Sequence, residues 1–359
     1  MYKFVLRRLI QAIPTFFGIT ILAFLLMTLT PGGPIGALVF NSSARDQSEF
    51  EAIADRIGAN DPLPVQYLRW LTGDDWMRRD TDGDGISDSC IILACDADGD
   101  GINESEGDRK GILRGDFGRS FFNRRSVSSV LSERIVPTLE LSITSLIVAE
   151  VLGITIGVLS AVTHKGLFDN LSRIFAVVVN SVPNFWLGIL LLFFLGFQLQ
   201  IFPGAGGRCA VTLDDGCPPI WQRVDYLVLP VIVLSAGGVA GISRFMRATM
   251  LDVVNQDYIR TAKAKGLSNQ RIWFNHALRN ALIPVIVGLG PAITGLLGGA
   301  VITETVFSYP GIGRTVVQAF TQRDYPIVMA ITIYASIATI LGFLISDILL
   351  ATVDPRVRF

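Results

Sequence analysis

Two nine-residue stretches carry ligand types and a spacing suited to a hard metal ion. Asp80-Thr81-Asp82-Gly83-Asp84-Gly85-Ile86-Ser87-Asp88 is followed by Asp96-Ala97-Asp98-Gly99-Asp100-Gly101-Ile102-Asn103-Glu104, and both read D-x-D-G-D-G-I-x-[DE]. Ca²⁺ takes six to eight oxygens. The carboxylates of Asp80, Asp82 and Asp84, and of Asp96, Asp98 and Asp100, supply three per loop. The second glycine permits a sharp turn, the carbonyls of Ile86 and Ile102 point inward, and Asp88 or Glu104 binds directly or through water. Without a cation these carboxylates would repel one another. Position 12 of a helix-loop-helix calcium hand needs a bidentate Glu, but Ile91 and Gly107 stand there, so such a hand is excluded.

A second chemical segment is basic. Asp257-Tyr258-Ile259-Arg260-Thr261-Ala262-Lys263-Ala264-Lys265-Gly266 lies inside Arg244–Asn280, between two long apolar runs. Met250–Lys265 contains no Gly or Pro and predicts a helix, with Ile259, Ala262 and Lys263 at helical spacing from Tyr258. Gly266 ends it, and Ser268 can cap a following helix, Asn269–Leu282. The result is a helix–glycine–helix elbow.

These segments must be positioned by membrane helices. The chain has 359 residues, half of them hydrophobic, with a net charge of −1; this excludes an ordinary soluble domain. Six runs can cross a bilayer: Leu9–Leu29, Val136–Val162, Ile174–Phe197, Tyr226–Ile242, Ala281–Thr303 and Ile327–Ala351. The fourth is the weakest, with Gly237 and Gly238 inside, and a half-span is the alternative there. The expected fold is all-α with six transmembrane helices. Residues 1–29 form the N-terminal segment and first span. Residues 30–135 form a large extracytoplasmic loop, with the acidic insert at 72–112. Residues 136–359 form a five-helix core carrying the loop 244–280.

Orientation follows from Lys and Arg. Segments 1–8, 163–173, 244–280 and 352–359 hold 14 Lys+Arg against 4 Asp+Glu, whereas the short loops 198–225 and 304–326 hold 4 Lys+Arg. Both termini are therefore expected in the cytoplasm. The cysteines then fall outside, where disulfides are permitted, and the pairs Cys90–Cys95 and Cys209–Cys217 are expected.

The elbow resembles the cytoplasmic coupling loop of bacterial ABC importer permeases, in the oligopeptide/dipeptide/nickel branch. That branch reads D-Y-x-R-T-A-x-A-K-G-L, then H-x-L-R-N-A-x-x-P. Asp257, Tyr258, Arg260, Thr261, Ala262, Ala264, Lys265, Gly266, Leu267, His276, Leu278, Arg279, Asn280, Ala281 and Pro284 all fit. Of the broader E-A-A-x-x-x-G pattern and its sequel, only Ala262, Gly266 and Leu278 match. The likeness extends to Asp61-Pro62-Leu63-Pro64, Gly115-Asp116-Phe117-Gly118-Arg119-Ser120, Glu304, Pro310-Gly311-Ile312-Gly313 and Arg323-Asp324-Tyr325-Pro326. Phe343 and Leu350 depart from it. The family joins Leu71 to Leu113 by a short link, so the acidic segment is an insertion. Its repeats resemble the aspartate-rich repeats of thrombospondin type 3, which implies a structural Ca²⁺ site of weak affinity, on the order of 10⁻⁴–10⁻³ M.

The resemblance implies a multi-pass permease of a bacterial or archaeal cytoplasmic membrane, moving peptides or related small solutes. Its implied partners are a second homologous permease, two ATP-binding subunits, an extracytoplasmic solute-binding protein and membrane lipid, with no nucleic acid. The chain has no G-x-x-x-x-G-K-[ST], so it is expected to bind no ATP alone and not to be an enzyme. The alternative is an ion-coupled secondary transporter or a channel. Three acids lie inside spans, where charge is expensive. Glu140 is expected near the outer headgroups and Asp347 beside Arg356 or Arg358. Glu150, the deepest, is the candidate for lining the path. The fifth-span glycines Gly288, Gly290, Gly295, Gly298 and Gly299 are expected to let helices approach closely.

Overall fold

The computed structural model describes residues 2–29, 62–73, 78–79, 89–90, 110–205, 207–209, 217–297 and 300–353. They divide into two compact units: Ile13–Glu133 with Val316–Tyr334, and Met1–Ala12 with Arg134–Thr315 and Ala335–Phe359.

Helices account for about four fifths of the described chain. They are α1 (Tyr2–Leu29), α2 (Leu63–Thr72), α3 (Val127–Val162), α4 (Leu167–Ser181), α5 (Asn184–Leu191), α6 (Val224–Val254), α7 (Asp257–Ala264), α8 (Asn269–Arg271), α9 (Leu278–Leu297), α10 (Val301–Val306), α11 (Ile312–Thr321) and α12 (Tyr325–Val353). A π-helical turn extends α5 to Gln198, and another joins α8 to α9. Two short strands, β1 (Arg78–Arg79) and β2 (Ser89–Cys90), pair antiparallel on either side of the first acidic repeat. Five helices are long and apolar enough to cross a membrane, or six if α4 and α5 form one bent span.

The first two spans begin before their expected boundaries, at Tyr2 and at Val127, the latter inside the stretch expected as loop, and three others differ in form. The third is not one helix: α4 and α5 meet at 98°. Pro183 has no N–H to donate and drives Val182 into extended backbone (φ −89°, ψ 123°). The fourth is no half-span. Gly237 and Gly238 remain helical, and α6 runs 31 residues, past Arg244 and Arg247 to Val254. The fifth closes early, at Leu297, and Thr303 belongs to the separate α10.

Small residues on α3, recurring every fourth position, let α6 pack closely against it. A Cβ on Gly238 would lie 2.9 Å from the Ala149 methyl, one on Gly153 2.7 Å from Ile242, and one on Gly157 2.6 Å from the Ser243 carbonyl. Close helix approach in lipid depends on such residues, because van der Waals contact replaces the hydrophobic effect. In the fifth span, Gly290 presses against Ser346, while Gly288 and Gly295 face open space. Gly298 and Gly299 lie outside the described residues, and further close glycine packing is found between α3 and α6.

In the unit containing α2, Phe24, Tyr67 and Trp70 form a ring cluster with centroids 5.5 to 6.0 Å apart. The Thr20 and Tyr67 hydroxyls meet at 2.9 Å. The two margins of the acidic insert also touch. Gly111 adopts φ +73°, and a Cβ there would stand 2.1 Å from the Gly73 nitrogen. Arg114 Nη2 donates to the Thr72 carbonyl at 2.6 Å. The insert therefore leaves and re-enters the fold at nearly one point. Its expected ligands, Asp80 to Asp88 and Asp96 to Glu104, lie outside the described residues, as does Cys95 of the expected Cys90 pair.

Candidate functional site: the helix–glycine–helix elbow

The elbow begins where α6 stops. Met250–Lys265 is not one helix, because Asn255 and Gln256 break it; Gln256 is extended (ψ 153°) and α7 starts at Asp257. Asp257 sits in the first turn, where negative charge complements the exposed N–H groups. Gly266, at φ +78°, provides the left-handed stop, and the Leu267 N–H closes back onto the Ala262 carbonyl at 3.3 Å. Ser268 flanks α8 in extended conformation without a side-chain cap bond.

Only one side of α7 is fixed. Ile259 and Ala262 are buried in an apolar cluster with Val158 and Ala161 of α3, Met246 and Met250 of α6, and Ala281 and Val285 of α9. Asp257, Tyr258, Arg260, Thr261, Lys263, Ala264, Lys265 and Gly266 are exposed. A short helix could not hold itself in water, so this two-residue anchor orients the entire exposed face. A polar brace adds to it: Asn280 Nδ2 donates to the Tyr258 hydroxyl at 2.8 Å and to the His276 carbonyl at 3.2 Å. The structure thus brings Tyr258, His276 and Asn280 together, while Arg279 stays exposed beside them.

Above the elbow, Asp169 clamps three helices. Its buried carboxylate accepts two bonds from Arg247 of α6, at 2.5 and 2.8 Å. It also accepts the Ser160 hydroxyl of α3 at 2.7 Å and the Lys165 N–H at 2.8 Å. Arg247 therefore belongs to a specific ion pair. Asp169 was not foreseen; in the sequence it is one acid at the start of a helix, and its partner stands 78 residues away.

At the opposite end of α3, Glu140 gathers a second cluster. Arg223 donates to it at 2.7 Å and Arg208 at 2.9 Å, and the Tyr309 hydroxyl lies 3.4 Å away. Burial, and then the Glu140 charge, push the Tyr309 phenol up to about 12. Cys209 and Cys217 form a disulfide between the two arginines.

Nearby, Glu304 is fully buried and caps α11 from outside that helix. The Arg314 N–H donates to it at 2.9 Å and the Thr138 hydroxyl at 2.9 Å, while Thr138 accepts the Ile312 N–H at 2.7 Å. A Cβ on Gly311 would fall 2.4 Å from this carboxyl. That contact accounts for glycine after Pro310.

Asp347 pairs with Arg8, at 2.9 Å. Arg356 and Arg358 lie outside the described residues. Glu150 is half-buried on α3. Among the described residues no three His, Cys, Asp or Glu side chains converge on a metal position.

Residues 153–359 match the family described as the binding-protein-dependent transport system inner membrane component, and residues 1–95 match its N-terminal companion. The chain belongs to this family. It is 35% identical to the oligopeptide transport system permease protein AppB of Bacillus subtilis (strain 168), covering 100% of both chains. It is 34% identical to the dipeptide transport system permease protein DppB of Escherichia coli (strain K12), covering 100% of this chain and 99% of that one. Among solved structures it is similar to an inward-facing form of the MetNI methionine ABC transporter, at 19% identity and a TM-score of 0.47, covering 63% of this chain and 97% of that one. As a member of this family, the chain is a multi-pass inner-membrane component.

Proposed function

We propose that this permease forms, with a second homologous permease, the path by which peptides or related small solutes enter the cell. Separate ATPase subunits drive it, and an extracytoplasmic solute-binding protein delivers the cargo. The observation that carries this reading is the full-length likeness to oligopeptide and dipeptide permeases. The elbow supports it by offering an exposed, charged α7 on a buried two-residue anchor. Both termini lie in the cytoplasm, and so does the elbow, as the Lys and Arg asymmetry requires. ATP-driven approach of the two ATPases pulls on α7. The Asp169–Arg247 clamp passes that displacement to α3, α4 and α6. Glu150, deep in α3 and without a charged partner among the described residues, faces the path.

The acidic insert binds Ca²⁺ through Asp80, Asp82, Asp84, Asp88, Asp96, Asp98, Asp100 and Glu104 and the carbonyls of Ile86 and Ile102. The ion folds a segment too charged to build a core.

Reconstitution tests the main reading. Purified from its host, the chain should carry an ATPase and a second permease with it. In proteoliposomes the complex should take up peptide only with ATP and binding protein. A lone oligomer with gradient-driven uptake overturns it.

A further inference from the structure

The break between α4 and α5 puts polar groups where a membrane helix ordinarily shows none. α4 ends at Ser181 and α5 begins at Asn184, with a 98° turn between them. Across the turn the Val182 N–H reaches the Val179 carbonyl only at 3.4 Å. Asn180, Ser181, Pro183 and Asn184 are all exposed on the chain. The Ser181 hydroxyl is occupied, donating to the Val177 carbonyl at 2.8 Å. Among the described residues the carboxamides of Asn180 and Asn184 have no hydrogen-bond partner.

The depth of the turn follows from α6. Asn180 Oδ1 stands 3.9 Å from where a Cβ on Gly237 would lie. Gly237 is about 18 Å along α6 from Asp225 and about 10 Å from Arg244, the charges that flank this span, at 1.5 Å per residue. The turn therefore lies within the apolar layer. Lipid cannot satisfy opened backbone or bare carboxamides, and irregular backbone at such depth is tolerated only against protein or water.

We infer that the turn Asn180–Asn184 is a station on the translocation path, where the carboxamides of Asn180 and Asn184 hydrogen-bond the main-chain amides of a passing peptide. This rests on the peptide-permease reading above. A carboxamide offers both a donor and an acceptor, as a peptide group does. It pairs with main chain whatever side chains the cargo carries. An ionised residue would instead select cargo by charge.

The test uses the complete transporter in proteoliposomes, with the Cys209–Cys217 bond intact. Asn180→Cys and Asn184→Cys should react with a charged, bilayer-impermeant thiol reagent, and saturating dipeptide with binding protein and ATP should slow that reaction severalfold. Asn180→Leu combined with Asn184→Leu should lower peptide uptake on the order of tenfold, by loss of two hydrogen bonds. Assembly and basal ATP hydrolysis should hold, and Asn180→Gln should keep most of the uptake. Absence of labelling throughout the ATP cycle, unchanged uptake in the leucine variant, or a disulfide from Cys at 180 to the second permease overturns the inference. A wild-type complex that hydrolyses ATP and never moves peptide overturns the reading beneath it as well.

Discussion

The Asn280 carboxamide donates to the Tyr258 hydroxyl at 2.8 Å, joining the exposed face of α7 to the start of α9 across 22 residues of sequence. It is a surface brace added to a buried anchor. Ile259 and Ala262 hold α7 in place, and in the proposed coupling the brace would stiffen α7 against a lateral pull.

Tyr258→Phe and Asn280→Ala should therefore fold normally, each losing about 0.5–1.5 kcal/mol at most. Peptide moved per ATP hydrolysed should fall severalfold in both. Because they share one bond, the double variant should be no worse than either single. Additive losses in that ratio would show that the two residues act independently.

The Gly73–Gly111 contact predicts that the acidic insert is separable. Replacing residues 74–110 by a short Gly-Ser link should leave the melting temperature of the detergent-solubilised protein within a few degrees, since closure cost changes slowly with loop length. Millimolar Ca²⁺ should raise the melting temperature of the full chain, or its protease resistance within 72–112, and do neither in the shortened one. Gly111→Ala, in contrast, should destabilise by more than about 1 kcal/mol, because φ is positive and the space is already filled.

Gly311→Ala should behave likewise through Glu304, costing about 1–3 kcal/mol by overpacking. Glu304 lies on α10, outside the candidate spans, and burial raises its carboxyl above the ordinary range against the pull of its Arg314 and Thr138 donors. The folded value thus exceeds the unfolded one. The stabilisation is full below the unfolded carboxylate range and is lost as pH rises through the folded value. Glu304→Gln should then gain on the wild type in thermal stability as pH climbs from about 4.5 to 8. A constant difference across that window would contradict this.

Glu140→Ala should be more damaging than its partly exposed position suggests. It strands Arg223, whose side chain is 3% exposed. Removing one partner of such a pair costs about 3–5 kcal/mol. Pairing Glu140→Ala with Arg223→Met should recover part of the lost yield and melting temperature. If the double variant is as unstable as Glu140→Ala alone, the stranded charge is not the cause.

Much of this organisation was legible in the chain itself. Apolar runs longer than a bilayer is thick admit only spanning helices, because lipid offers the backbone no partners. Gly266 had to end α7, and Pro183 carried the signal for the α4–α5 break, although the apolar run around it reads as continuous. The repeats at 80–88 and 96–104 carry the acidic spacing on which the calcium proposal rests.

What the sequence could not disclose were pairings between distant residues. Asp169 with Arg247, Glu140 with Arg223 and Glu304 with Gly311 each join positions set side by side only when the helices pack. Periodicity registers which face of a helix is apolar. It contains no term for which neighbour that face meets, so the ion pairs, the external cap of α11 and the close approach of α3 to α6 were decided by tertiary contact.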